Sequence, residues 1–198
     1  INFEEIELNA LNAVNKNCLP YEEAALYNTR KVIKAFRKHK VSDYYLKPTT
    51  GYAYSDVGIE KLDLIYADIF HAEAALVRSQ FVSGTHALAV ALLGVLRRGD
   101  EIISATGTPY DTMQTIIGYP VQTPGSLADI GVTYKELPMS GSKVAIKELQ
   151  SLITPKTRMV LIQRSCGYSD VRKTLTVAEI GEICSAVKTV NSDCLCFV

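Results

Sequence analysis

The sequence predicts an α/β protein with a mostly parallel sheet flanked by helices. Two observations carry that prediction. From Ala74 onward, short apolar runs of strand length alternate with amphipathic runs of helical length, the pattern of strands joined by right-handed helical crossovers. The composition is also that of a folded globular chain, with 198 residues, 47% hydrophobic and 21% charged.

In chain order, Leu19 to Lys40 reads as a helix with Pro20 in its first turn and Leu26, Ile33 and Phe36 recurring on one face. The opposite face is basic, running from Arg30 through Lys34 and Arg37 to Lys40. Such a run suits phosphate binding or an ordinary solvated helix face, and no nucleic-acid partner is expected. Ser42 to Ser55 lacks periodicity and is rich in Tyr, Thr, Gly and Pro, which reads as an ordered loop. Ser55 is placed to cap a helix reaching about His71, with Ile59, Leu62, Tyr66 and Ile69 on one face.

The alternation then predicts strands at Ala75–Val82, Glu101–Ala105, Val132–Leu137, Arg158–Gln163 and Cys194–Val198. Helices are predicted at Thr85–Leu96, Tyr110–Ile117, Val144–Ile153 and Val177–Val190. The division expected is an N-terminal helical segment and loop over residues 1–55, followed by the sheet-bearing part over 56–198. Because Cys194–Val198 reads as a buried strand with no element after it, the chain is expected to be the first part of a longer protein.

Charge and cysteine content exclude several classes. Lys plus Arg number 21 and Asp plus Glu number 21, so no global excess draws the chain to a polyanion or a membrane surface. The five cysteines show no C-x-x-C spacing, and His39 and His71 have no partners at metal-ligand spacing. Neither a disulfide framework nor a metal site is therefore indicated. No apolar run is long enough to span a membrane, and the first residues carry Glu4, Glu5 and Glu7 where a signal peptide would be basic. A soluble protein of a reducing, cytoplasmic compartment is expected.

Open parallel sheets bind ligands at the carboxyl ends of their strands, so the loops after the predicted strands are where chemistry should lie. The first is Phe81-Val82-Ser83-Gly84-Thr85-His86-Ala87. The Gly84 and Thr85 amides and the Ser83 and Thr85 hydroxyls at a helix start would face an anion, and the same residues equally suit an ordinary capped helix. The glycine fingerprint and the lysine of the common nucleotide cradles are missing. The second is Thr106-Gly107-Thr108-Pro109-Tyr110-Asp111-Thr112, whose Tyr110 offers an aromatic face for a planar ring. The third is Gln163-Arg164-Ser165-Cys166-Gly167-Tyr168-Ser169. Arg164 there suits bidentate pairing with a carboxylate or phosphate, or a surface salt bridge. His86 suits either a phosphate contact or packing at the helix start.

Taken in order, Gly51-Tyr52-Ala53-Tyr54, Ser83-Gly84-Thr85 and Tyr110-Asp111-Thr112 resemble the Cys/Met-metabolism family of fold-type-I pyridoxal-phosphate enzymes. Those enzymes include methionine gamma-lyase and the cystathionine lyases. The wording around Val82–Ala87, Gly94–Arg97, Gly107–Thr112 and Val160–Ser165 is most similar to the aluminium resistance branch, and the resemblance covers Leu19 to Val198. It implies an incomplete fold-type-I large domain preceded by N-terminal helices, with pyridoxal 5'-phosphate as cofactor and carbon–sulfur bond cleavage of a sulfur amino acid as activity. It further implies that Tyr54 reaches the cofactor phosphate of a neighbouring subunit, in a homodimer or homotetramer with shared sites. Ser83, Gly84 and Thr85 would bind phosphate in their own subunit, Tyr110 would stack on the pyridine ring, and Arg164 and Ser165 would lie near its phenolic oxygen.

The sequence departs from the resemblance in two places. Where many members carry a phosphate-binding arginine two positions after the loop tyrosine, this chain has Asp56. The Schiff-base lysine and the aspartate that pairs with the pyridine nitrogen are expected beyond Val198, so no catalytic residue is assigned within the chain. A non-catalytic phospholigand-binding or interaction module is the alternative expectation.

Overall fold

The structure is a computed structural model describing residues 2–50, 56–139, 143–168 and 172–198. The chain divides into two compact units, residues 1–80 and 81–198.

The first unit contains α1 (Phe3–Lys38), a single 3-10 turn (Asp43–Leu46) and α2 (Val57–Phe70). The helix predicted from Leu19 thus begins sixteen residues earlier, and Pro20 lies inside it. The ends of α1 explain its length. Asn2 accepts the Glu5 N–H at its N-terminus, Glu4 and Glu5 occupy the first turn, and Arg37 and Lys38 the last, all matched to the helix dipole. Interior Pro20 forfeits one backbone hydrogen bond, a cost of about 3 kcal/mol that the surrounding helix formers outweigh.

Helix α2 is capped by Asp56. Its buried carboxylate accepts the Gly58 and Ile59 N–H groups, each at 3.1 Å, and a bond from the Thr49 hydroxyl. The Thr49 bond, then the Ile59 amide, hold this carboxyl below the usual aspartate range. The acidic residue that departs from the family wording therefore has a local task, starting a helix. Ser55, predicted as that cap, lies outside the described residues.

The predicted strand Ala75–Val82 does not form. Its backbone is held instead by a side chain of α2, because Asp63 accepts the Val77 N–H at 2.8 Å and pairs with Arg78 at 2.7 Å. A segment whose amide is engaged by a carboxylate has no ladder to join.

The second unit is a three-layer α/β/α arrangement. Helix α3 (Gly84–Val95) precedes β1 (Glu101–Ser104), α4 (Asp111–Ile117), β2 (Thr133–Glu136), α5 (Ile146–Leu152), β3 (Thr157–Leu161), α6 (Val177–Val190) and β4 (Leu195–Phe197). All three strand pairs are parallel, in the order β2-β1-β3-β4. Alternation along the central strands sends side chains to opposite faces. Ile103, Val160 and Ile162 pack with Leu149 of α5 and Ile183 and Val187 of α6, whereas Ile102, Met159 and Leu161 pack with Leu92 of α3 and Met113 and Ile117 of α4. Central strands buried on both faces read as continuous apolar runs, which is why the sequence located them. The predicted α6 matches its observed bounds, and a reciprocal Thr176–Glu179 capping box starts it. Cys194 is buried in the first of these clusters, with Cys184 and Cys196 packed against it. Burial pushes the Cys196 thiol up to about 12, so this thiol behaves as a small hydrophobe.

At the amino end of the sheet, the buried Glu101 carboxylate accepts from Lys135 at 2.5 Å and from the Thr157 hydroxyl at 2.6 Å. Burial alone would raise its pKa, but Lys135 and Thr157 outweigh that, and the net direction is down. A depressed carboxyl stabilises the fold above its unfolded value of about 4.3, and the contribution is lost as pH falls through the lower folded value. Glu101→Gln should therefore cost roughly 2 kcal/mol near neutral pH and much less at about pH 3, read from urea midpoints. An equal loss at both pH values would show that the charge is not what matters there.

Candidate functional site

Strand order places a topological switch between β1 and β3. The chain leaves β1 for β2 on one flank, while β3 on the other flank leads on to β4. Ligand crevices in open parallel sheets form outside the carboxyl ends at such a point. A cleft of about 310 Å3 lies there, with Thr108, Tyr110 and Gln114 on the β1 side and Gln163, Cys166 and Arg172 on the β3 side.

Gln163 ties the two sides together. Its main-chain N–H donates to Thr106 Oγ1 at 3.1 Å, its Oε1 accepts the Tyr110 N–H at 3.3 Å, and its Nε2 donates to the Ser165 carbonyl at 3.3 Å. Gly167 has φ 61°, a left-handed conformation that favours glycine, and a Cβ on it would come within 2.8 Å of Gln163 Nε2, which would have to shift. Tyr110 is the N-cap of α4 and packs half-buried against the cluster of Leu92 and Met113. The loop carrying it is braced from the edge strand. Thr108 donates to Glu136 Oε1 at 3.1 Å, Tyr134 donates to Glu136 Oε2 at 2.9 Å, and Arg172 donates to the Thr108 carbonyl at 3.0 Å. Burial first, then the Glu136 carboxylate, raises the Tyr134 phenol far above its ordinary value and keeps it a donor.

The second feature is the start of α3, a twelve-residue helix. The Ser83 hydroxyl accepts the His86 N–H at 3.1 Å, which makes Ser83 the cap. Among the described residues the Gly84 and Thr85 amides and the Thr85 hydroxyl have no protein partner, and a Cβ on Gly84 would meet nothing within 4 Å. Two free amides, a hydroxyl, open space and the positive end of a helix could hold an anion. His86 turns away to structural contacts, with Nδ1 accepting the Val82 N–H at 3.4 Å and its ring edge-on to Phe81.

The predicted residues therefore fall into three groups. Tyr110 lines the cleft and is tied through Gln163 to Ser165. Ser83, Gly84 and Thr85 form the turn heading α3, which packs into the same apolar cluster as Tyr110 but does not line the cleft. Arg164 is engaged with the loop ahead of α6, donating from Nε to the Leu175 carbonyl at 3.3 Å, while its own carbonyl accepts the Leu175 N–H at 2.9 Å. Tyr54 lies outside the described residues. Gln163, Glu136 and Arg172 escaped the sequence reading as site residues. A glutamine ending an apolar strand is the only local signal any of them gives, since the other two act through long-range contacts. Among the described residues no group of three or more His, Cys, Asp or Glu side chains is placed to hold a metal ion. No helix among them is long and apolar enough to cross a membrane.

Comparison with known proteins bears on this geometry. Residues 3–198 match the family model of methionine gamma-lyase. The chain belongs to the methionine gamma-lyase family. Within reach of this family membership, the uncharacterized protein YnbB of Bacillus subtilis is 43% identical over 179 residues, covering 89% of this chain and 42% of that protein. A Listeria monocytogenes structure, provisionally named a cystathionine beta-lyase involved in aluminium resistance, superposes with a TM-score of 0.91 at 40% identity, over 98% of this chain and 50% of that one. A Clostridium novyi structure, named a carbon-sulfur lyase involved in aluminium resistance, gives 0.88 at 34% identity, over 100% and 48%. The chain thus spans about half the length of the relatives it matches.

Because Ser83 caps α3, Ser83→Ala should lower stability by about 1 kcal/mol in urea unfolding, and Ser83→Thr should restore most of it. No change in either variant would mean that the turn is not held as described.

Proposed function

We propose that the protein is a pyridoxal 5'-phosphate-dependent carbon–sulfur lyase acting on a sulfur amino acid, with this chain supplying the phosphate turn and the ring contact of a fold-type-I large domain. The observation that carries the reading is the unpartnered donor set of Gly84 and Thr85 at the head of α3, in the same unit as the switch-point cleft. Membership of the methionine gamma-lyase family and the lyase names of the structural neighbours support it.

Bound pyridoxal phosphate would supply an electron sink for a carbanion beside the substrate amino group. The chain's own residues would bind and orient. The Gly84 and Thr85 amides with the Ser83 and Thr85 hydroxyls hold the phosphate, and Tyr110 presents its ring to the pyridine. Gln163 fixes the backbone from which Tyr110 projects, and Arg164 and Ser165 stand in the adjoining loop. Residues 56–198 are read as the first part of the large domain, with the catalytic lysine and the aspartate that pairs with the pyridine nitrogen beyond Val198. Tyr54 is read as serving a neighbouring subunit's phosphate, which makes the active unit a homodimer or homotetramer. With one water consumed, the products expected are a keto acid and ammonia together with a thiol from cystathionine or methionine, or hydrogen sulfide from cysteine.

Tyr110→Ala should weaken pyridoxal phosphate binding by about tenfold, the loss of one aromatic stacking contact. Keto-acid release should fall with it. Binding without product release from any of the three amino acids would favour a non-catalytic phospholigand module, and absence of cofactor binding would overturn the reading.

A further inference from the structure

Within the first unit, a cavity of about 440 Å3 lies between α1 and the last turn of α2. From α1 it is lined by Tyr27, Arg30, Lys31, Lys34 and Lys38, whose spacing keeps them on one side of the helix, and from α2 by Asp68 and His71. Four cationic side chains face one carboxylate, a surplus of three positive charges in a chain whose totals balance.

The carboxylate is already engaged. Asp68 pairs with Lys38 at 2.6 Å and lies 3.4 Å from His39 Nε2. Arg30, Lys31 and Lys34 have no ion pair among the described residues. Arg30 and Lys34, Lys31 and Lys34, and Lys34 and Lys38 are neighbours three or four apart on the helix, where like charges repel. The negative end of α2 offers about half a unit charge, too little to offset three. The arrangement is unfavourable by itself and becomes favourable when an anion of two or more charges enters.

The size limits the ligand. A volume of this order suits a small molecule, and the stripe from Tyr27 to Lys38 extends only about 16 Å along the helix before Asp68 closes one end. A nucleic-acid backbone would have to pass that carboxylate. We propose that the groove between α1 and α2 is a binding site for a small polyanion carrying two or more phosphate groups.

Calorimetric titration of the protein with inorganic tripolyphosphate at about 50 mM salt tests this, because charge-driven binding is strongest at low salt. Binding of one equivalent is expected, unchanged by saturating pyridoxamine 5'-phosphate, which would occupy the Ser83–Thr85 turn instead. Lys34→Glu should weaken it by at least about tenfold, the loss of a charge-assisted contact. Lys16→Glu makes the same charge change on an exposed part of α1 and should leave affinity within about twofold. A thermal midpoint no lower than the parent's in either variant would confirm that folding is intact, and that of Lys34→Glu should rise as the like-charge repulsion is relieved. Absence of binding, equal losses in the two variants, competition by pyridoxamine 5'-phosphate, or tighter Lys34-dependent binding of duplex DNA would each overturn the proposal.

Discussion

The parallel pairing of β1 with β3 is the constraint on which the second unit depends. Glu101–Ser104 and Thr157–Leu161 lie side by side, and the ladder extends one residue past β1, since the Ala105 N–H reaches the Leu161 carbonyl at 2.9 Å. These strands have helices on both faces, so their apolar side chains are covered twice. The pairing fixes more than stability. It brings Thr106, one residue beyond the ladder, and Gln163, two residues beyond it, within hydrogen-bond distance, and Gln163 in turn holds Tyr110. A slip of one residue would exchange the two faces and separate these groups.

The loops at the carboxyl end are accordingly held by polar contacts that join β2, the loop after β1 and the loop beyond β3. Glu136 on β2 braces Thr108 after β1, and Arg172 beyond β3 donates to the same threonine's carbonyl. The α3 turn is built on another principle, a helix start whose cap is supplied by Ser83 and whose next two amides are left without protein partners. One loop is held rigidly and the other presents open donors, two different ways in which this end of the sheet is prepared.

Much of this fold was legible in the sequence because doubly covered strands are apolar throughout and helices carry their own start signals. The period of Val177–Val190 located α6, and Ser83 stood as a suitable cap at the head of α3. The misreadings have local physical causes. Pro20 resembles a first-turn proline, yet α1 continues through it because favourable residues extend on both sides and Asn2 caps a much earlier start. Ala75–Val82 has strand composition, but Asp63, fourteen residues before Val77, captures its backbone. At the candidate site the turn and Tyr110 were visible as motifs. The role of Gln163 was not, because its partners lie more than fifty residues away in sequence.

Affinity for a pyridine-ring ligand with and without its phosphate tests the central claim most directly. Pyridoxamine 5'-phosphate and pyridoxamine share the ring and cannot form an imine with a lysine amine, so the difference between them isolates the phosphate contact. Equilibrium dialysis of the protein should give binding of the phosphorylated form tighter by at least about tenfold, the worth of one or two charge-assisted hydrogen bonds. Equal affinity for the two would contradict a phosphate site at Ser83–Thr85.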